Sequence, residues 1–218
     1  MRKLRALETD LDFQAKLLVE QHASARTSGY SRSNFAYGST PLTSWLTLFK
    51  SAPVQAAVAR RRLTEDSRPR YVVLGSSLGS LCIFGACVYG LPTLGIELMP
   101  MLTAQAESIA REAQASHVHF TCADMLQCDL SGADIVLLAS QCWDEELVTA
   151  VGIKLLAELD IGALALDYTP ALGHAGRKTS GESTGTHGRR FELQCKVSAP
   201  VSWDGAHSFF VWQVVEAD

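Results

Sequence analysis

Hydrophobic positions follow two patterns along the chain. Up to about residue 62 they recur at helical spacing, and from Tyr71 onward they gather into short runs separated by turn residues. Thr9-Asp10-Leu11-Asp12 resembles a capping box and predicts a helix running to about Ser24. The small and polar stretch from Ala25 to Ser39 reads as a loop. Pro41 suits the first turn of a second helix, in which Leu42, Trp45, Leu46 and Phe49 share one face. Pro53 is expected to kink or restart this helix, which continues from Val54 to Arg62.

The second half alternates strand and helix. Strand candidates are Tyr71–Leu74, Thr93–Glu97, Val118–Cys122, Asp134–Ala139 and Ala163–Asp167, with helical segments between them. Wholly apolar runs such as Ile135-Val136-Leu137-Leu138 fit strands covered on both faces of a parallel sheet. The ending differs. A glycine-rich polar loop, Ala171 to Gly188, carries no helix signal, and two strands follow, Phe191–Ala199 and Ser208–Glu216, joined around Trp203-Asp204-Gly205. Alternation closed by a hairpin predicts an α/β, Rossmann-like class I methyltransferase fold. Its sheet is mostly parallel and seven-stranded, with a C-terminal antiparallel hairpin. A dinucleotide dehydrogenase would continue with further strand–helix units.

Composition narrows the setting. The 218 residues, 47% hydrophobic and 19% charged, are enough for one domain with additions rather than a disordered chain. A formal charge of −4 gives no reason to expect direct nucleic-acid binding across the whole surface. Arg60-Arg61-Arg62 with Arg68 and Arg70, and later Arg177-Lys178 with Arg189-Arg190, read as solvated helix-end and loop charges. Cys82, Cys87, Cys122, Cys128, Cys142 and Cys195 form no Cys-x-x-Cys pair or zinc spacing, and most sit in apolar runs. With no run of membrane-spanning length and no signal peptide, the expected location is a reducing intracellular compartment, nuclear or cytoplasmic, away from membranes.

The chemistry concentrates at the strand ends. Val72-Val73-Leu74-Gly75-Ser76-Ser77-Leu78-Gly79 is an apolar strand entering a turn of small residues that opens a helix. Roughly twenty residues on, Leu94-Gly95-Ile96-Glu97 is a second strand ending in a carboxylate. Such a turn lets backbone approach a nucleoside while the acid accepts from ribose hydroxyls. A dinucleotide fingerprint would need glycine at Gly75, Ser77 and Ser80 and matches only the first. The G-x-G-x-G pattern of methyltransferases, over Gly75, Ser77 and Gly79, matches two of three. Asp124, after the third strand, is placed to accept an adenine amino group, with Met125 packing beside the ring. These residues, with Ser76 and Leu98, point to S-adenosyl-L-methionine as cofactor.

Together the motifs resemble the non-SET core-histone lysine methyltransferases of the disruptor-of-telomeric-silencing type, over roughly Tyr37 to the C-terminus. Tyr37-Gly38-Ser39-Thr40 is similar to the family's Y-G-E-T loop, and Val73 to Gly79 resembles its D-L-G-S-G-x-G turn. Gly95-Ile96-Glu97 resembles G-[VI]-E, and Ala123-Asp124-Met125-Leu126 resembles G-D-F-L. Val201-Ser202-Trp203-Asp204-Gly205 with Ser208-Phe209-Phe210 resembles V-S-W-T-G and a following S-Y-Y. The resemblance implies that Tyr37, Gly38 and Thr40 fold over the cofactor's methionine part. It also implies that Trp203 and Phe209 line a channel for a target lysine.

Departures from the family are equally specific. Val73 stands where the family has an acid, Ser77 replaces the middle glycine, and Phe209 replaces the channel tyrosine. The family's N-N-F is absent after the fourth strand, where Ser140 or Gln141 is the polar substitute, and no long basic tail follows. On this reading residues 1–66 form a helical segment with a cofactor-covering loop, and residues 67–218 form the cofactor-binding core. The acceptor is a protein lysine in preference to a small molecule, with a non-catalytic cofactor-binding protein as a further alternative. Trp143 and Tyr168 are additional wall candidates, and the histidines form no metal constellation. His174 or His187 is a possible base, though a solvated loop histidine is the preferred reading.

Overall fold

The computed structural model describes residues 6–7, 9–36, 38–60, 70–175 and 188–217. Its seven strands are β1 (Tyr71–Leu74), β2 (Thr93–Glu97), β3 (Val118–Cys122), β4 (Ile135–Leu138), β5 (Leu164–Asp167), β6 (Arg189–Val201) and β7 (Asp204–Glu216). They form one sheet in the order β3-β2-β1-β4-β5-β7-β6. β1 to β5 are mutually parallel, whereas β7 runs antiparallel between β5 and β6. The expected fold class is the one observed. Because β1 has β2 on one side and β4 on the other, the strand order reverses there, and a cleft opens beyond the carboxyl ends of these strands.

Strand alternation explains the two-sided core. Tyr71 and Val73 of β1, Ile135 and Leu137 of β4, Leu164 and Leu166 of β5, and Phe209 and Val211 of β7 share one face. Against them pack α2 (Leu42–Phe49), α3 (Ala52–Ala59) and α4 (Ser80–Tyr89), through Trp45, Phe49, Val54 and Phe84. Trp45 and Phe49 are fully buried and stack at 3.9 Å, so the predicted apolar stripe is a packed face. Val72, Leu74, Val136, Leu138 and Ala165 point to the opposite face, which α6 (Glu145–Glu158) covers with Leu147, Val151 and Leu155. Each such apolar side chain contributes about 1.5–3 kcal/mol on burial. β3 at the sheet edge is largely exposed, and α5 (Pro100–Glu112) follows β2.

Several boundaries differ from expectation. The first helix, α1 (Leu11–Ser28), runs past Ser24, because Thr27 and Ser28 hydroxyls bond back to Ala23 and Ser24 carbonyls. It stops at Gly29, whose φ of 77° supplies the left-handed cap. Its N-cap is Asp10, one residue beyond the expected Thr9, with the carboxylate accepting from the Asp12 and Phe13 amides. Inside the expected loop Arg32–Phe35 form a 3-10 turn. Pro53 restarts the helix rather than bending it: Lys50 and Ser51 separate α2 from α3, which ends at Ala59. Arg61, Arg62, Arg68 and most of the glycine-rich segment, with Arg177, Lys178 and His187, lie outside the described residues. Ala171–His174 at that segment's start form a second 3-10 turn, although no helix signal was visible there. The hairpin turns through Ser202-Trp203, since Asp204 already pairs with Val201. The Asp-Gly dipeptide therefore lies inside β7. Of the six cysteines only Cys82 is buried, while Cys87, Cys122 and Cys142 are exposed.

Candidate functional site

A single cleft of about 460 Å³ gathers the strand ends of β1, β2 and β4 under the segment from Tyr30 to Thr40. That volume suits a small-molecule site. The turn after β1 begins with Gly75 at φ 72°, where an added Cβ would lie 3.3 Å from the Trp143 ring. Gly75 and Ser76 amides both donate to the Ile96 carbonyl, which binds the turn to the end of β2. The buried Ser76 and Ser77 hydroxyls have no partner among the described residues, and both residues line the cleft. Gly79 does not line it. Its φ of 77° caps α4, and a Cβ there would lie 2.5 Å from Phe120 Cζ.

Glu97 and Asp124 converge on this one cleft. The Glu97 carboxylate is buried and accepts from the Ser77 amide at 2.8 Å and the Met99 amide at 3.0 Å. Burial pushes its carboxyl above the usual glutamate range, against the downward pull of those amides and that of Leu98. Asp124 accepts from the Tyr30 hydroxyl at 2.7 Å and the Leu126 amide at 2.9 Å. Leu98 and Met125 lie beside these carboxylates in the lining.

The covering segment is fastened at both ends. Asn34 and Asp144 exchange two hydrogen bonds: the Asn34 amide donates to Asp144 Oδ2 at 2.8 Å and accepts from the Asp144 N–H at 2.7 Å. Asp144 is also the N-cap of α6. At the other end the Ser39 N–H donates to Ser202 Oγ at 3.0 Å, and the Ser202 N–H donates to the Ser39 carbonyl at 3.1 Å. Thr40 and Tyr168 hydroxyls are 2.5 Å apart. Burial pushes the Tyr168 phenol up to about 12, so at neutral pH it is protonated. Gly38 and Thr40 line the cleft, and Tyr37 lies outside the described residues.

At the mouth, Trp203 is 43% exposed and packs 6.0 Å from Tyr168; Gln141, Cys142 and Trp143 also line the cleft. Besides Gly79, two expected site residues are not in the lining. Phe209 is 1% exposed and packs 4.8 Å behind Tyr168, because alternation on β7 sends it into the core. Tyr168 takes the wall position instead. Ser140 is fully buried and donates to Asp167, a carboxylate that also accepts from the Thr169 amide and hydroxyl. Burial raises the Asp167 carboxyl, and the pair braces the ends of β4 and β5. His174 is exposed and outside the lining. Val73, at the position where the family resemblance calls for an acid, is fully buried in the core.

Among the cleft residues that the sequence did not point to are three from the arm. Tyr30, Asn34 and Phe35 all reach the cleft. They sit in a polar stretch whose one local signal is the glycine preceding Tyr30. Among the described residues no group of three or more His, Cys, Asp or Glu is placed to hold a metal, and no helix is long and apolar enough to cross a membrane. Arg60, Arg70 and Arg189 donate to main-chain carbonyls, so these cations serve the fold.

No protein-family model matches the chain, and no curated protein matches it. Solved structures do. An RNA methyltransferase from Salinibacter ruber, in complex with S-adenosyl-L-homocysteine, aligns with 19% identity and a TM-score of 0.55, over 83% of this chain and 95% of that one. A variant of MtNAS in complex with S-adenosylmethionine aligns over 95% of this chain and 75% of that one, with 17% identity and a TM-score of 0.53. MtNAS in complex with MTA and tNA aligns with 16% identity and a TM-score of 0.53, over 81% of this chain and 61% of that one. These matches do not support the finer resemblance to the histone lysine enzymes. They and the strand order agree that the chain has the Rossmann-like class I methyltransferase fold.

Proposed function

We propose that the chain is an S-adenosyl-L-methionine-dependent methyltransferase. The observation that carries this reading is the meeting of Glu97, Asp124 and the turn of Gly75 to Ser77 in one 460 Å³ cleft at the sheet's switch point. The residues fit the group. Glu97 is placed to accept from ribose hydroxyls and Asp124 from a base amino group, while Ser76 and Ser77 offer two unpartnered hydroxyls. When bound, the cofactor supplies a methyl group already activated on a sulfonium. The protein's own work is therefore positioning: the arm excludes water, and Trp203, Tyr168 and Gln141 shape the approach of a nucleophile.

For the acceptor we favour a protein lysine. Support comes from the half-exposed indole of Trp203 beside Tyr168, and from carboxylates being the only charged groups in the described lining. Aromatic, partly desolvated walls favour the neutral amine that attack requires. A small-molecule acceptor is the second reading, favoured by a cleft whose volume is in the range of small-molecule sites.

The test is incubation with methyl-labelled cofactor and separate protein and metabolite fractions of a cell extract. Label in protein that is released as methyl-lysine on hydrolysis supports the first reading, and label confined to metabolites supports the second. Titration calorimetry that detects neither S-adenosylmethionine nor S-adenosylhomocysteine overturns both.

A further inference from the structure

We propose that Tyr30 is the positioning residue that makes the site selective for a 6-amino purine, by holding the Asp124 carboxylate in one orientation. The inference rests on the cofactor reading above and deepens it. Helix α1 ends at Gly29, whose left-handed φ turns the chain so that Tyr30 stands at the cleft wall. The Tyr30 hydroxyl donates to Asp124 Oδ2 at 2.7 Å, and the Leu126 amide donates to Oδ1 at 2.9 Å. The two oxygens are thus pinned by different donors, which sets the plane of the carboxylate. An ionised carboxylate has about four lone-pair sites, so two donors leave acceptor capacity for a third partner in the cleft.

Tyr30 is suited to this role chemically. Burial and the neighbouring Asp124 push its phenol up to about 12, which keeps it a donor throughout the working range. Its ring packs against the edge of the core, which anchors the residue that carries the hydroxyl. A fixed acceptor discriminates. A 6-amino group donates to it, whereas a 6-oxo group presents a lone pair to a negative charge and leaves Asp124 facing an acceptor. Were Asp124 free to swing, it could turn to solvent and tolerate either base.

The experiment measures calorimetric affinity for S-adenosylhomocysteine and for its inosine counterpart, in which oxygen replaces the 6-amino group. Wild type is expected to prefer the adenosine compound. Tyr30→Phe keeps the ring and is expected to weaken adenosine binding about tenfold, the worth of one hydrogen bond to a charged group. Inosine binding should change less than twofold, so the selectivity ratio collapses. Equal weakening of both ligands, or no change in either, overturns the positioning role while leaving the cofactor reading intact. Wild type that binds neither ligand overturns the cofactor reading and this inference with it. Asp124→Asn, which leaves Tyr30 in place, covers the case in which Tyr30→Phe folds poorly: losing the carboxylate that Tyr30 holds should collapse the same selectivity ratio, and an unchanged ratio counts against the proposal.

Discussion

The chemistry of the cleft turns on the protonation of single side chains, and Glu97 is the clearest case. Burial raises its carboxyl above the ordinary glutamate range, yet ribose hydroxyls need the ionised form as acceptor. Affinity for S-adenosylhomocysteine should therefore be full above that raised value and fall about tenfold per pH unit below it. The midpoint should lie above the ~4.3 of a free glutamate. Fluorescence titration from pH 4 to 8 checks this, and Glu97→Gln should flatten the profile while weakening binding at neutral pH. The sign for stability is opposite. A raised carboxyl favours folding when protonated, so its contribution is lost as pH climbs through the raised value. At this scale the sequence was informative where strand-end position alone brings a side chain to the cleft, as for Glu97 and Asp124. It misled at Phe209, because neighbours one residue apart on a strand face opposite sides, and at Ser140, whose hydroxyl turns inward to Asp167 beyond the end of β4.

At the scale of the element, the turn between β1 and α4 shows what a departure from a glycine pattern does. Ser77 occupies the middle position at φ 50°, a left-handed conformation that glycine adopts freely and serine adopts at a cost of about 1–2 kcal/mol. Its amide still reaches Glu97, so the turn keeps its hydrogen bond to the end of β2 under strain. Ser77→Gly should therefore stabilise the fold, by about 1 kcal/mol or less once glycine's greater freedom in the unfolded chain is counted. Urea unfolding reads this as a higher midpoint at unchanged slope. An unaltered or lowered midpoint would mean that the serine hydroxyl, unpartnered among the described residues, contributes more than the strain costs. The core helices and all seven strands could be read from hydrophobic spacing. The arm's 3-10 turn and the true hairpin tip could not, because short polar turns are fixed by partners distant in sequence, such as Asp144 for Asn34.

The molecule as a whole is built so that one ligand would tie together its N-terminal arm, sheet and hairpin. If the cleft holds S-adenosylhomocysteine, ligand at a hundred times its Kd adds about 2.7 kcal/mol to the folded state. For a chain of this size that raises the melting midpoint by about 5–10 °C, and guanosine-based analogues should shift it far less. A thermal scan with and without ligand is enough to check it. Fold class was legible throughout, since alternation followed by a hairpin admits few arrangements. How the arm lies over the cleft was not, because it depends on hydrogen bonds spanning most of the chain. The clasp of Ser39 on Ser202 joins positions 163 residues apart. During synthesis on a ribosome, both strand-end acids emerge long before that second serine does. A nascent chain therefore holds its arm by that clasp only once residue 202 has left the ribosome, well after both carboxylates have.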